Sequence, residues 1–468
     1  MDLNGQLLRA QRQLAGLSQA RFSELCGVPQ HQLSAFELGK LDLPESVLAK
    51  VSAALSDRAG AATLAGRSKR YREHTYVQVQ RLPERVARAT QTKGNSDYTD
   101  ALAKLGAFQR DSNGPTAISL FAGCGGFSLG FSAAGFSVKG FVELLPELRA
   151  IYKSNFPNVR ELGGDITKVT ASDLESYVQE FGSVDAIIGG PPCQGFSLSG
   201  KRAVDDPRNE LFKHYMRFVA AFNPKIAVLE NVRLLTSMKD ANGRFVKDEI
   251  TKEFCTLGYA VDYFDVNASQ YGIPQDRDRV IFVALRKDLE CSPSIPTPTH
   301  FKSVDLFSSG QLVRSFGDAC SDLPFVESGQ GSDDSLHTAV NHPAHVIEWL
   351  WNVPEGRSAH DNIDFNLRPP SGYNTTYKRQ VWSEPAATVQ TTFGMISGCR
   401  NVHPIATRAL TIREAARLQS FPDSYRFEGS LGTIRKGIGN AVPPLLAHAI
   451  AMHIKPLIKF CKSTQLPD

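Results

Sequence analysis

The chain has 468 residues and a formal net charge of +4; that is material for roughly two to four domains with large cores, and the slight basic excess permits a nucleic-acid partner without demanding one. Eight scattered cysteines, with no CxxC pair and no Cys/His metal spacing, argue against a disulfide framework and a structural zinc site. With no apolar signal-like region in "MDLNGQLLRAQRQ" and no apolar run of about 18 residues, the expectation is a cytoplasmic protein with reduced thiols and no membrane partner.

Residues 1–57 read as a small all-α head. Apolar residues from Leu7 to Val51 recur at near-helical spacing. Ser18 is placed to cap a helix that stops at Gly27, and Pro29 opens a second that ends at Gly39. Two short helices about a glycine-containing turn form a helix-turn-helix. Leu17-Ser18-Gln19, Phe22, Cys26-Gly27-Val28, Leu33-Ser34, Glu37 and Gly39-Lys40 resemble the repressor-type helix-turn-helix family. By that likeness Gln30, His31, Gln32 and Ser34 lie on the outward side of the recognition helix, where polar side chains can reach base edges in the major groove. A packing module that touches no DNA is the competing reading.

Residues 58–114 read as a basic linker. Arg58, Arg67, Lys69, Arg70, Arg72, Arg81, Arg85, Arg88 and Lys93 outnumber the acids near them, so contact with phosphates is one use for a segment that is otherwise a solvated connection.

From Thr116 the pattern changes. Apolar runs ("AISLF", "VKGFV", "VDAIIGG", "KIAVLENV", "VIFVAL") alternate with helical segments, which indicates a doubly wound, largely parallel sheet with ligands at the carboxyl ends of its strands. The first strand enters "FAGCGGFSLGF", where Gly123, Gly125 and Gly126 allow a tight turn and close approach to a ligand. Phe121 supplies a ring suited to stacking on adenine. Glu143 ends the next strand, where a carboxylate can accept from ribose hydroxyls, and Asp165 in "GGDIT" holds the following strand-end position.

Cys193, in "GGPPCQGFS", follows the third of these named runs. Pro191 and Pro192 stop the strand, so the thiol stands on a loop at the same sheet edge. A thiolate there is a nucleophile candidate. The next strand ends in Glu230-Asn231-Val232, and "QYGIPQDRDRV" sets Arg277 and Arg279 at alternate positions, which puts both on one face. That face could hold a phosphate or orient a substrate.

The blocks "SLFAGCGGFSLGF", "VEL", "GGDIT", "GGPPCQGFS", "ENV", "QYGIPQDRDRV", "RALTIREAARLQSFPD" and "GNAVPP" occur in the order that the cytosine-C5 DNA methyltransferases have them, and the chain resembles that family over roughly Thr116–Lys459. The resemblance implies S-adenosylmethionine as methyl donor and double-stranded DNA as partner. It implies Cys193 as the nucleophile on C6 of a flipped-out cytosine, Glu230 at N3, and Arg277, with Arg279, positioning the base. It also implies a cofactor site of Phe121, Gly123, Gly125, Gly126, Glu143, Leu144, Asp165, Ile166, Pro191, Leu211 and Asn440. Leu144 departs from the aromatic residue that many members have against the adenine.

The fold expected is α/β: a doubly wound S-adenosylmethionine-dependent methyltransferase sheet over 115–286 and 426–468, a smaller target-recognition domain over 287–425, and the all-α head. Within the recognition part, Lys378, Arg379 and Gln380 are the candidate base contacts, with phosphate contact as the alternative. The chain would belong to a restriction-modification system, its head binding a separate operator and regulating its own promoter, an arrangement that allows a dimer on that operator. A transcription factor with an idle methyltransferase body and a tRNA cytosine methyltransferase are the competing readings.

Overall fold

A computed structural model describes residues 5, 8, 12, 19–56, 84–107, 113–192, 211–240, 243–303, 310–398 and 400–460. They divide into two compact units, Met1–Glu84 and Arg85–Asp468.

In the first unit α1 (Gln19–Cys26), α2 (Gln30–Glu37) and α3 (Glu45–Ser56) close over Leu8, Phe22, Val28, Leu33, Phe36 and Val51. Gly27 turns the chain between α1 and α2 with φ +67, a conformation that costs glycine little. Arg12 Nε pairs with Glu37 Oε1 at 2.6 Å, and Gln19 donates to the same carboxylate at 2.7 Å. These partners compensate a buried charge. α2 leaves Gln30 and His31 exposed and Gln32 and Ser34 half-buried.

The second unit begins inside the segment read as a linker. Its first long helix, α4 (Gly94–Gly106), buries Tyr98, Leu102 and Leu105, an i, i+4, i+7 stripe. They enter one core cluster with Cys124, Phe141, Ile151, Phe316 and Phe421. Residues 85–107 therefore belong to the packed second unit, where a solvated connection had been expected.

Seven strands form the central sheet: β1 (Thr116–Leu120), β2 (Ser137–Val142), β3 (Arg160–Gly163), β4 (Ala186–Gly189), β5 (Ile226–Val232), β6 (Tyr259–Asn267) and β7 (Asp278–Arg286). Their order is β3-β2-β1-β4-β5-β7-β6. β7 alone runs antiparallel to its neighbours β5 and β6. Alternation assigns side chains to two cores. Ile118, Leu120, Ala227, Leu229, Val280 and Phe282 face one cluster, and Ala117, Ile226, Val228, Ile281 and Val283 face the other. Each fully buried Leu, Ile or Phe of this kind contributes about 1.5–3 kcal/mol.

Around the sheet lie α5 (Gly126–Ala133), α6 (Pro146–Asn155), α7 (Ala171–Phe181), α8 (Leu211–Phe222) and α9 (Val246–Thr256). The region after β7 is mostly irregular, with short helices α10 (Phe316–Cys320), α11 (Ala344–Leu350) and α12 (Ile412–Leu418), before α13 (Leu431–Asn440) and α14 (Pro444–Phe460) return to the sheet. Leu410, Ile412, Ala415 and Leu418 share a cluster with Leu129 of α5 and Ile151 of α6, so packing joins this stretch to the sheet domain although it was grouped with the recognition part. The stretch Leu431–Ile458 is long and apolar enough to cross a membrane by composition, but Leu446, Ile450 and Ile454 are taken up by the sheet core.

Two neighbouring features set up the site. β1 lies between β2 and β4, so the strand order reverses there and opens a crevice at the carboxyl edge. Because β7 is antiparallel, its beginning lies at the edge where β5 ends, with Val232 opposite Arg279.

Candidate active site

At the end of β1 the backbone takes three left-handed steps, with φ +53 at Phe121, +57 at Gly123 and +97 at Gly125. Two are glycines. Phe121 is the outlier, since a bulky side chain rarely adopts that conformation, and such strain collects at functional sites. A Cβ at Gly125 would run into Tyr425 and Phe156, so that glycine faces the core beneath the loop. Tyr425 donates to the Cys124 carbonyl. Burial pushes the Cys124 thiol up to about 12, which leaves it an inert packing group.

Glu143, at the end of β2, closes the loop from the other side. Its Oε2 accepts from Gly123 N at 2.8 Å and its Oε1 from Leu145 N at 2.9 Å. Arg149 donates to the carbonyls of Glu143 and Leu144 at 3.0 and 2.9 Å. Burial raises the Glu143 carboxyl above its usual range, against the two amides that favour its charge. Asp165 behaves oppositely: the Thr167 hydroxyl, at 2.7 Å, lowers it. Leu144 is largely exposed.

Glu230 ends β5 with 8% of its surface exposed. Its Oε1 lies 2.7 Å from Arg279 Nε. The adjacent Asn231 donates to the Pro191 carbonyl at 2.9 Å, so one strand end carries both a charged pair and a clamp on the proline loop. Pro192 faces the same space. Cys193, which follows it, lies outside the described residues.

Arg277 is placed differently from its sequence reading. It is buried, and it donates to the carbonyls of Val389, Gly439 and Ala441 at 3.2, 3.0 and 3.0 Å. Gln275 donates to Leu418 O and Gln419 Oε1, both at 2.9 Å, and Gln419 donates to Ile438 O at 2.6 Å. This network grips the chain on both sides of Asn440. Arg277 thus fixes the turn that carries Asn440, and the pairing with Glu230 belongs to Arg279.

A cavity of about 520 Å³ joins these parts, within the size range of small-molecule sites. Phe121, Gly123, Gly126, Glu143, Leu144, Asp165, Ile166, Pro191, Leu211 and Asn440 line it, together with Glu230, Arg277 and Arg279. Gly125 does not. Ser119, Asn231, Leu234, Met238 and Lys436 also line it; of these, Lys436 was legible as the residue one helical turn before Asn440. Apolar walls, two acids and exposed loop backbone fit a nucleoside with a charged tail, and the Glu230–Arg279 pair stands at the other end of the same space.

The candidate base contacts need correction. Arg379 is 2% exposed and donates to the carbonyls of Leu350, His403, Ile405 and Ala406. Gln380 is buried and accepts from Ala387 N at 2.9 Å. Both hold the irregular region together. Lys378, half-buried, keeps access to solvent.

A family model for C-5 cytosine-specific DNA methylases matches residues 116–456, and a helix-turn-helix family model matches residues 8–56. The chain is 37% identical to the type II methyltransferase M.DdeI of Desulfomicrobium norvegicum, with 72% of this chain and 88% of that protein covered. It is 39% identical to M1.HphI of Haemophilus parahaemolyticus, covering 72% and 85%. Among solved structures, a protein assigned as a DNA modification methyltransferase encoded within an E. coli prophage matches with a TM-score of 0.58 at 26% identity. That likeness covers 73% of this chain and 99% of the other.

Proposed function

The chain belongs to the C-5 cytosine-specific DNA methylase family and is a DNA (cytosine-5-)-methyltransferase of restriction-modification type; from that premise we propose that it methylates one cytosine within a specific duplex sequence, after that base has left the stack, with S-adenosylmethionine as donor. The observation that carries this reading is a single cavity with two acids, Glu143 and Asp165, at one end and Glu230 with Arg279 at the other.

The residues divide the work. Phe121, Glu143, Asp165 and Asn440 would hold S-adenosylmethionine, with Ile166, Pro191 and Leu211 around it. When bound, the donor supplies a methyl group made electrophilic by its sulfonium. C5 of cytosine is a poor nucleophile. Cys193 thiolate adds to C6, forming a C6–S bond, while Glu230 passes to N3 a proton that it has taken from solvent, and C5 becomes enamine-like. Arg279 keeps the Glu230 carboxyl directed at the base. After methylation the C5 proton passes to water, the C6–S bond breaks to release the thiolate, and N3 returns its proton through Glu230, which restores the ring. The target carbon is shielded inside a stacked duplex, so the base must leave the helix first.

For the head we propose operator binding through Gln30, His31, Gln32 and Ser34. Support comes from a helical core that is complete within the first unit and from polar side chains left outward on α2. Regulation of the chain's own promoter, from a place on the nucleoid in the cytoplasm, is the role this suggests.

Bisulfite sequencing of DNA from cells that express the chain tests the enzymatic reading: conversion-resistant cytosines should fall at one sequence. Scattered or absent protection would end it. Footprinting of the promoter region with the full chain and with a Gln30→Ala/His31→Ala double variant tests the head, which should lose its footprint while keeping methylation.

A further inference from the structure

α13 contributes Lys436 and Asn440 to the cavity wall. Beside Lys436 stands Arg435, whose guanidinium has no carboxylate partner among the described residues. Its Nε is buried and without a hydrogen-bond partner. Among the described residues nothing forms an ion pair with it, and burial alone acts on its charge, lowering its pKa with no carboxylate to offset the loss. Several enclosed arginines of this unit meet carboxylates, and Arg277 and Arg379 are held by backbone carbonyls. Arg279 has Glu230, Arg408 has Glu414, and Arg417 has Asp322 and Asp423.

The surroundings say where an anion would come from. The turn 390–394 lies directly on Arg435: a Cβ at Gly394 would collide with its Nε and Cζ. The same turn presses on Gly439, where a Cβ would meet Thr391 N. Arg435 is therefore held between that turn and the helix whose next turn carries Asn440. Gln390, Thr392 and Met395 remain exposed on the turn. A half-buried cation whose Nε is cut off from water, with no counter-charge beside it, is a cost to the fold. A planar guanidinium also suits a phosphate in two-point contact.

We propose that Arg435 receives a backbone phosphate of the DNA strand that carries the target cytosine, at the rim of the cavity which that base enters. The inference rests on the methyltransferase reading above. It makes Arg435 a sequence-independent grip beside the reacting base, while selection of the site is left to other residues.

The test is the salt dependence of binding by the full chain, wild type against Arg435→Met and Arg435→Lys. The probe is a fluorescein-labelled duplex carrying the sequence that bisulfite sequencing identifies. Arg435→Met should bind about tenfold more weakly at low salt, and its log–log salt slope should be shallower by about one. Its thermal midpoint should be equal to or above that of the wild type, because an uncompensated charge has gone. Arg435→Lys should keep the slope. An unchanged slope in Arg435→Met, whether or not the variant melts lower, makes Arg435 a packing residue and overturns the inference. A wild-type chain that binds no duplex overturns the methyltransferase reading instead.

Discussion

Arg279 Nε stands 2.7 Å from Glu230 Oε1 across the antiparallel pairing of β5 and β7, and both side chains are nearly enclosed. The pair makes two substitutions informative together. Glu230→Gln removes the proton donor and should lower kcat by about 100- to 10,000-fold. Arg279→Met leaves a buried carboxylate without its cation, so it should cost about 3 kcal/mol of stability besides most of the activity. Single-turnover assays and thermal melts separate the two effects. Equal melting of Arg279→Met and wild type would show that the pair does not hold Glu230.

Much of this site was legible in the sequence, because apolar runs mark strand ends and strand ends mark the crevice. Glu143 and Glu230 follow from the ends of such runs, whereas Asp165 follows from its place in "GGDIT" and Pro191 enters the site through the family resemblance. Period two also brought Arg277 and Arg279 to one cavity. It could not say which of them meets Glu230, since that depends on the carbonyls of Val389, Gly439 and Ala441, far along the chain. Arg379 and Gln380 were misread for the same reason. A polar residue in an irregular region shows no local sign that distant carbonyls will bury it. The packing of α4 was available in the Tyr98, Leu102, Leu105 stripe, but the surrounding charges drew the reading toward a linker.

Glu143 gives a pH dependence with a definite sign. Burial raises its folded-state pKa above the unfolded value. Its contribution is therefore fully present below about 4.3, the ordinary glutamate value, and is lost as pH rises through the higher folded value. The stability of the wild type should fall relative to Glu143→Gln across that window. A constant offset is expected as well, because the amide can accept from only one of Gly123 N and Leu145 N on its oxygen. Denaturant melts at a series of pH values check the slope, and a parallel pair of curves contradicts it. The variant should also raise KM for S-adenosylmethionine.

Two buried histidines give the opposite sign. His342 Nε2 accepts from Ala409 N at 3.0 Å, and burial, then Arg408, pushes its pKa down to about 4. His403 Nδ1 accepts from Ile405 N and Ala406 N, and burial, then Arg408, holds it well below its usual range. Both are held neutral, so the unfolded chain takes protons first once pH drops below about 6.5. Stability present above that value is lost as pH falls toward 4. For His342 alone the loss is on the order of 3 kcal/mol by pH 4. His342→Gln keeps an acceptor for Ala409 N and should flatten the decline. Thermal midpoints between pH 7 and pH 4 would report it, and an unflattened curve would show that His342 does not titrate with unfolding.

Arg85 tests whether the chain ahead of β1 belongs to the enzyme. It donates to Glu327 Oε1 and Ile405 O, both at 3.3 Å, to Thr407 Oγ1 at 2.6 Å and to Trp351 O at 2.5 Å, and its guanidinium lies 3.5 Å from the centre of the Trp351 ring. Glu327 in turn accepts from Thr407 N at 2.7 Å. One side chain thus compensates a carboxylate and ties two stretches of the irregular region after β7, at 351 and at 405–407. Arg85→Met keeps the contact with the ring but removes every donor and strands Glu327, so a loss of about 3 kcal/mol is expected. KM for DNA should rise, because those stretches would no longer be held in place. Arg88 is the control. Its pair with Glu355 lies on a side chain 59% exposed, and Arg88→Gln should change stability by less than about 1 kcal/mol. If Arg85→Met melts with the wild type and methylates with an unchanged KM for DNA, residues 85–106 are only a tether to the head, and the irregular region after β7 is held by its own contacts.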